Sequence, residues 1–382
     1  MYKMVRFEKS LIILSEAARI FFRGVRVRFT GVKRYRGSAE SISRQIIHAC
    51  FDQKKKYFRV SGDNAHFCEF YARDFGWCTE SLLSLGYYKE VISTLDYALD
   101  IFQRHGKIEQ SISPAGKPFT FPSSKYSPDA LAFLVRSLRL AGNHLLVKKY
   151  RDFLNHEVKR YFELVIDKKT GLVRSDRSFS SMKDYSVRQS SCYDNVMTAM
   201  LCEDLEALGL INPFKRGDYH RLIIKHFWNS NYFLDDLSGS KLVCGDANVL
   251  PFWSGIIKDH AVLKKAIASI RKAGLDNPFP LKYTRRKFSE QKMIAKEFFA
   301  GDYERDAIWP HVGLMYIKIV SAVDKRLARR YLSQYERQIL LHKNFLEVYD
   351  RNGKPFKNLF FHADEGMLWV ANYLSLRKEL KA

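Results

Sequence analysis

The stretch AIWPHVGLMYIKIVSAV (307–323) is followed, after a single aspartate, by KRLARRYLSQYERQILLHK (325–343). The first segment is apolar around most of a helical circumference and contains one lysine, whereas the second separates its apolar residues from its many charges. A helix that is apolar on most sides has to be covered on most sides. The two segments therefore predict a hairpin made of one enclosed inner helix and one solvated outer helix.

The same alternation recurs along the chain. Apolar residues spaced at i, i+3, i+4 and i+7 predict twelve helices, of which the odd-numbered ones are charged and the even-numbered ones mostly apolar. No exact repeat of the kind that builds an open solenoid is visible. We therefore predict an all-α fold, an (α/α)6 toroid of six helical hairpins with the even helices inside. The predicted helices lie at roughly 38–51, 76–86, 88–105, 128–142, 144–164, 190–209, 213–230, 247–258, 260–273, 307–322, 324–342 and 363–379.

The first 37 residues fit neither ring of helices. The segment RGVRVRFTGVKRYRG (23–37) alternates apolar and basic residues, which is the pattern of a short strand. We therefore expect two units, an N-terminal extension over 1–37 that packs on the barrel with a short strand or extended segment, and a catalytic barrel over 38–382.

The formal net charge of +23 raises the question of a nucleic-acid partner. The basic residues are concentrated on predicted outer helices such as HLLVKKYRDFLNHEVKRYFE (144–163), whereas the predicted inner segment 190–208 contains neither lysine nor arginine. Charge distributed in this way indicates a solvated outer surface. We expect no nucleic-acid partner, and a basic helical nucleic-acid binder remains an alternative.

The location of the protein is predicted from what the sequence lacks. No apolar run reaches the ~18–20 residues of a membrane span, and no small-residue cleavage site follows the N-terminal segment. The six cysteines are scattered without a C-x-x-C pair, which is typical of free thiols inside a cell. We expect a cytoplasmic protein without a transmembrane segment, metal or cofactor; the sequence leaves the oligomeric state open.

Polar loops lead into the even helices and should meet at one rim of the ring. Carboxylates, arginines and aromatic residues predominate there, a mixture that suits sugar binding. The eleven histidines show no metal-ligand spacing, and nucleotide-binding or serine-hydrolase motifs are absent. This leaves two-carboxylate chemistry, as in glycoside hydrolysis. The loops are YARDFGW (71–77), SKYSPDA (124–130), SMKDYSVRQSSCYDN (181–195), CGDANVLPFW (244–253), ERDAIWP (304–310) and LEVYDRNGKPF (346–356).

Two carboxylates are placed to face each other across such a rim. Asp184 precedes the sixth helix and Glu347 precedes the twelfth. For the general acid, three alternatives remain open: Asp176, Asp194 and Asp246. The last of these, in GDAN, is the strongest rival, although it also fits a capping residue of the eighth helix or a sugar contact.

Four stretches resemble the six-hairpin glycosidases, in particular the catalytic domain of glycogen-debranching amylo-α-1,6-glucosidases and their glucoamylase and trehalase relatives. The resemblance covers about residues 70 to 379. The chain departs from the family in three of these places. Ser181 stands where the family usually has Trp, Ser191-Cys192-Tyr193 replaces a Glu-Ile/Val-Asn-like run, and Tyr303-Glu304-Arg305-Asp306 replaces a Tyr-His-Arg/Lys-Gly run. The four stretches are RDFGW (73–77), SSMKDYSVRQSSCYDNVM (180–197), YERDAIWPHVGLMY (303–316) and NFLEVYDRNGKPF (344–356).

The resemblance implies an inverting hydrolase of α-glucosidic or related bonds. It implies Asp184 as the general acid and Glu347 as the general base, with Arg73 and Asp74 clamping the terminal sugar; a buried ion pair is the alternative for the clamp. Stacking or polar contacts with substrate are further expected from a larger set of rim residues. These are Trp77, Tyr126, Asp129, Arg188, Asp246, Asn248, Trp309 and His311.

Two other functions on the same barrel remain open. A glycoside phosphorylase would use phosphate in place of the activated water. The basic segment YTRRK (283–287) near the rim is compatible with phosphate binding and supports that alternative. A non-catalytic carbohydrate-binding protein would use the aromatic and polar rim without the two acids.

Overall fold

The computed structural model describes residues 18–19, 21–62, 65–121, 125–214, 217–285, 293, 301–358 and 361–381. Each of the twelve predicted helices has a counterpart among these residues, and the largest shift is at the last one, which begins at 370 instead of 363. The helices are α1 (Ala39–Cys50), α2 (Ala72–Ser84), α3 (Tyr88–His105), α4 (Pro128–Ala141), α5 (His144–Val165), α6 (Cys192–Ala207), α7 (Tyr219–Phe227), α8 (Gly245–Trp253), α9 (His260–Lys272), α10 (Pro310–Ser321), α11 (Lys325–His342) and α12 (Val370–Lys381).

The even-numbered helices form a closed inner ring. Helix α2 packs on α4, α4 on α6, α6 on α8, α8 on α10 and α10 on α12, and α12 returns to α2. Each outer helix packs against its inner partner, as α11 does on α10 and α9 on α8. The (α/α)6 toroid predicted from the sequence is confirmed.

Burial explains why the two rings differ. Helix α4 buries 12 of its 14 residues, whereas α11 buries six of 18, spaced along one face. Where α2 and α4 cross, Gly76 faces Phe133, and a Cβ on this glycine would overlap the phenylalanine side chain. The close approach of these two inner helices therefore depends on a residue without a side chain.

Five two-residue strands lie in the loops that the structure describes. Strands β1 (Phe51–Asp52) and β2 (Tyr57–Phe58) form an antiparallel pair, and β3 (Phe70–Tyr71), β4 (Ser111–Ile112) and β5 (Pro118–Phe119) form an antiparallel sheet in the order β3-β4-β5. Strand β3 runs directly into α2. It therefore fixes the start of the inner helix that carries Arg73 and Asp74.

The N-terminal prediction of a strand is wrong for residues 21–30, which are helical. The alternation of valine and arginine suggested a period of two, but the residues buried against the barrel are Arg23, Gly24 and Val27, which share one side of a helix. Residues 31–37 contain neither helix nor strand and cross to the loop after α11, where the N–H of Tyr35 donates to the carbonyl of Lys343 at 2.8 Å.

The cysteine prediction agrees with the structure, because all six thiols are free. Within the described residues, no helix combines the length and apolar character needed to cross a membrane. The division into two units at residue 37 stays a prediction.

Candidate active site

The loops that precede α6 and α12 are held by two consecutive residues, Tyr303 and Glu304. The Glu304 carboxylate accepts the N–H of Asp184 at 2.7 Å and that of Tyr185 at 2.8 Å. The hydroxyl of Tyr303 donates to Glu347. One short segment therefore contacts the loops of both predicted catalytic acids, at the rim formed by the N-termini of the inner helices.

Asp184 keeps partial access to solvent. Its side chain is 21% exposed, and it accepts a hydrogen bond from the Ser180 hydroxyl at 2.7 Å. Burial is the main effect on this carboxyl and raises its pKa above the ordinary value, against the opposing influence of Arg73 and Ser180; Asp129 adds to the rise. A carboxyl that retains its proton in this way can donate it.

Arg73 carries a donor that no described residue accepts. Its Nε donates to Asp129 at 2.6 Å, and Asp129 also accepts from Tyr193 at 2.8 Å and from Ser127 at 2.7 Å. The Nη2 atom of Arg73 lies 3.7 Å from the Asp184 carboxylate and has no hydrogen-bond partner among the described residues, although the side chain is buried. A buried N–H without an acceptor is costly and indicates a position where a ligand supplies one.

Glu347 is enclosed, with 1% of its surface exposed. Besides Tyr303, the backbone N–H of Asp364 donates to its carboxylate at 2.9 Å, and the N–H of Glu347 donates back to the carbonyl of Asp364 at 3.0 Å. Burial and the negative charge of Asp364 raise the pKa of Glu347 to about 8, against the hydrogen bonds that lower it.

Aromatic side chains form one wall of the site. The Trp77 ring stacks on His311 at 4.3 Å, and the Nε2 atom of His311 lies 3.0 Å from the Tyr283 hydroxyl. The indole N–H of Trp309 donates to the carbonyl of Tyr303 at 2.9 Å. Both tryptophans are buried, so they pack within the wall and position their neighbours. Burial, with a smaller contribution from Arg73, lowers the pKa of His311 well below its ordinary value, which keeps this ring neutral.

Asp74 lies behind Arg73, where the indole N–H of Trp369 donates to it at 3.0 Å. Burial raises the pKa of Asp74 to about 7. The structure thus does not pair Asp74 with Arg73 in an ion pair, since Arg73 bonds to Asp129 instead.

A second buried cluster contains Arg188 and Asp246. The Lys183 ammonium lies 2.8 Å from Asp235 and 3.1 Å from Asp246, and the Arg188 guanidinium lies 3.8 Å and 3.4 Å from the same carboxylates. Arg188, which was expected to contact substrate, therefore lies in an ion cluster with Asp246 and Asp235. The two cations balance two buried carboxylates, which makes Asp246 part of an ion network.

Three potential metal ligands meet in this cluster. One ligand atom each of Asp235, Cys244 and Asp246 lies within 4.8 Å of the others. Because the Lys183 ammonium already bonds to both carboxylates, the arrangement does not fit a divalent cation.

Two other predicted residues, Asn248 and Tyr126, contact backbone groups and neighbouring side chains of the protein. Asn248 directs its amide to backbone groups, accepting from the N–H of Phe233 at 2.7 Å and donating to the carbonyls of Phe233 and Cys244. The Tyr126 ring lies edge-on to Tyr161, with the Arg160 guanidinium 5.1 Å from its centroid. Neither side chain contacts Asp184 or Glu347 among the hydrogen bonds and ring contacts of the described residues.

The rival acids occupy different environments. Asp176 is exposed and pairs with Arg174 at 2.6 Å, so it lies on the surface. Asp194 lies in the first turn of α6, where the Ser191 hydroxyl donates to it at 2.6 Å, and burial raises its pKa to about 6.

Sequence reasoning missed several residues of the site, above all Glu304, Asp364 and Tyr283. Glu304 was visible only as a departure from the family pattern, and the other two carried no distinguishing signal. The basic segment YTRRK (283–287) is described only as far as Arg285; its last two residues lie outside the described ranges.

Solved structures resemble this fold over most of the chain. A glycosidase variant in complex with glucose aligns with a TM-score of 0.63 at 14% identity, over 96% of this chain and 98% of its own. The GH63 mannosylglycerate hydrolase from Thermus thermophilus, in complex with glucose, gives 0.60 at 14% identity, over 89% and 100%. The GH78 rhamnosidase of a Bacillus species gives 0.59 at 14% identity, over 89% of this chain and 34% of its own.

No family model matches the sequence, and no curated protein matches it. At 14% identity the structural likeness establishes a shared (α/α)6 fold.

Proposed function

We propose that this protein is an inverting glycoside hydrolase that cleaves α-glucosidic bonds, with Asp184 as the general acid and Glu347 as the general base. The observation that carries the proposal is the contact of Tyr303 and Glu304 with both acid-bearing loops. It ties the two carboxylates to one segment of the rim, although they are far apart in sequence.

The general acid has to be protonated before the bond breaks. Burial raises the pKa of Asp184, and the Glu304 carboxyl group accepts the N–H of Asp184 and so holds its backbone in place. Protonation of the glycosidic oxygen by Asp184 would leave a carboxylate beside Arg73, whose Nη2 atom lies 3.7 Å away and has no hydrogen-bond partner among the described residues. The developing charge is therefore stabilised where it forms.

The general base has to remove a proton from water. Above about pH 8, where Glu347 is ionised, its carboxylate would be held by Tyr303 and by the N–H of Asp364, which fix both oxygens. Inversion requires room for that water, with carboxyl groups roughly 6.5–9.5 Å apart. The water would attack the anomeric carbon from the face opposite to the leaving oxygen.

Sugar is the ligand that suits the remaining groups. Two buried donor or acceptor atoms near the rim, Nη2 of Arg73 and Nδ1 of His311, lack hydrogen-bond partners among the described residues. Hydroxyl groups can both donate and accept, so one sugar ring could satisfy both. Two similar structures are complexes with glucose, which supports glucose as the sugar unit. The resemblance of the 344–356 and 180–197 stretches to debranching and trehalase-type enzymes supports the α linkage.

The test is hydrolysis of a defined panel: trehalose, maltose, isomaltose, a branched α-glucan and an α-mannosyl glycoside, with proton NMR of the first anomer released. We expect a β-anomer from at least one α-glucoside, at a rate that phosphate does not change. An initial α-anomer would reject inversion, and release of a sugar 1-phosphate only in phosphate buffer would indicate the phosphorylase. Sugar binding without any turnover would indicate a carbohydrate-binding protein.

A further inference from the structure

Asp364 joins three parts of the molecule beside Glu347. Its carboxylate accepts from the Ser61 hydroxyl at 2.8 Å and from the N–H groups of His66 and Phe67 at 2.8 and 2.9 Å. Its own N–H donates to the Glu347 carboxylate. Burial acts to raise the pKa of Asp364, but Arg23 and these donors outweigh it and hold the pKa below its ordinary value. A buried, ionised carboxylate therefore lies directly behind Glu347.

The cation that balances this carboxylate comes from outside the barrel. Arg23 belongs to the helical segment 21–30, and its Nε lies 3.1 Å from Asp364. The same guanidinium donates to the carbonyls of His362 at 2.9 Å and Ala363 at 3.1 Å. Arg23 is itself 6% exposed. It therefore binds both the side chain of Asp364 and the backbone that leads into it.

We propose that Arg23 is a positioning residue, through which the N-terminal helical segment fixes Asp364 and so sets the ionisation and orientation of Glu347. This inference rests on the proposed role of Glu347 as the general base. It assigns a catalytic purpose to a segment that lies outside both rings of helices.

Electrostatics predicts the direction in which Arg23 shifts the pKa of Glu347. The largest charged and titratable influences on Glu347 include Tyr303, Asp364 and Arg23. His66 faces Asp364 from the other side, and Glu365 lies 3.8 Å from the Arg23 guanidinium. An unbalanced Asp364 charge would favour protonation of Glu347, which would abolish its use as a base. Arg23 counters that effect, and it lowers the pKa of Glu347. The backbone and Ser61 donors keep Asp364 ionised when the arginine is absent.

The test compares Arg23→Gln with Asp364→Asn and follows the Glu347 carboxyl by carbon NMR, its signal identified from its loss in Glu347→Gln. We expect the pKa of Glu347 to rise by about one pH unit in Arg23→Gln and to fall in Asp364→Asn. The limb of the pH–rate profile that follows Glu347 should move with it, about tenfold in kcat/KM for each pH unit. Arg23→Lys should restore part of the shift.

Arg26→Gln is the matched control, because Arg26 lies on the same helical segment but approaches Glu365 at 3.5 Å from a 43% exposed position. It should leave the titration of Glu347 unchanged. Loss of activity in Arg23→Gln with an unaltered Glu347 titration would overturn the proposal and indicate a purely structural role. If the wild-type protein hydrolyses no glycoside, the proposed function fails, and the NMR titration still decides whether Arg23 controls Glu347.

Discussion

Tyr303 donates its phenolic hydrogen to Glu347 from a position next to Glu304, the residue that holds the Asp184 backbone. The bond stabilises the ionised form of Glu347, and it lowers the pKa of that carboxyl against the effect of burial. A side chain that favours the ionised base should contribute to the rate even though it carries no charge itself.

We expect Tyr303→Phe to lower kcat about tenfold, because a hydrogen bond to a charged group is lost while the ring and its packing remain. The pKa of Glu347 should rise in the same variant. Tyr373→Phe is the control, since the Tyr373 hydroxyl is buried and has no hydrogen-bond partner in the described part of the chain. Equal kcat values for the two variants would show that the Tyr303 hydroxyl does not contribute to catalysis.

The proposed acid and base should each be indispensable. Asp184→Asn and Glu347→Gln are expected to fold and to lose on the order of 10²–10⁴ in turnover, the usual contribution of a general acid or base. Asp176→Asn and Glu163→Gln remove exposed carboxylates paired with Arg174 and Lys168, and they should retain wild-type rates. Activity close to wild type in both catalytic variants, measured on the best substrate of the panel, would reject the assignment.

The sequence predicted the rings well because the relevant signal is local. An inner helix such as α10 is apolar on all sides, and that property follows from burial by neighbours on every side. The N-terminal helical segment was not predicted, because its burial depends on a contact that is distant in the sequence. Its buried side is built on Arg23, a residue whose burial depends on Asp364 more than 300 positions away.

Asp184 and Glu347 were selected from their loops and stay predictions, whereas the partners that hold them could not be selected from the sequence. Glu304 accepts backbone N–H groups that lie some 120 residues earlier in the chain. Nothing in the sequence around a carboxylate shows that it bonds to so distant a backbone, so this role could not be predicted. Asn248 was selected as a sugar contact because its amide lies in a rim loop. In the structure this amide bonds to the backbone of Phe233 and Cys244, and a contact with sugar stays a prediction.

The contact between α2 and α4 yields a prediction about stability. Gly76→Ala should lower the free energy of unfolding by about 1–3 kcal/mol, because the added methyl group overlaps the buried Phe133 side chain. In Gly76→Ala/Phe133→Gly the combined loss should be smaller than the sum of the two single losses, since removing the whole Phe133 side chain, including its Cβ, makes room for the methyl group. Gly62→Ala is the control, with its added Cβ at an ordinary 3.5 Å from that of Ala49. Additive losses in a urea unfolding series would show that Phe133 is not what the methyl group meets.

The buried Glu347 should make stability depend on pH in a predictable sense. Its pKa is raised to about 8 in the folded protein, above the ordinary value of 4.5, so the protonated carboxyl favours the fold. That contribution is complete below about pH 4.5 and is lost as the pH rises through about 8.

Glu347→Gln cannot ionise, and its amide can still accept from the N–H of Asp364. We therefore expect the variant to match the wild type near pH 4.5 and to exceed its free energy of unfolding by on the order of 2–4 kcal/mol above pH 8. Urea unfolding at a series of pH values measures this difference, and Glu163→Gln, at an exposed position, should show none. A constant difference across the range would mean that Glu347 is ionised in the folded protein throughout, and that Tyr303 and the N–H of Asp364 outweigh its burial.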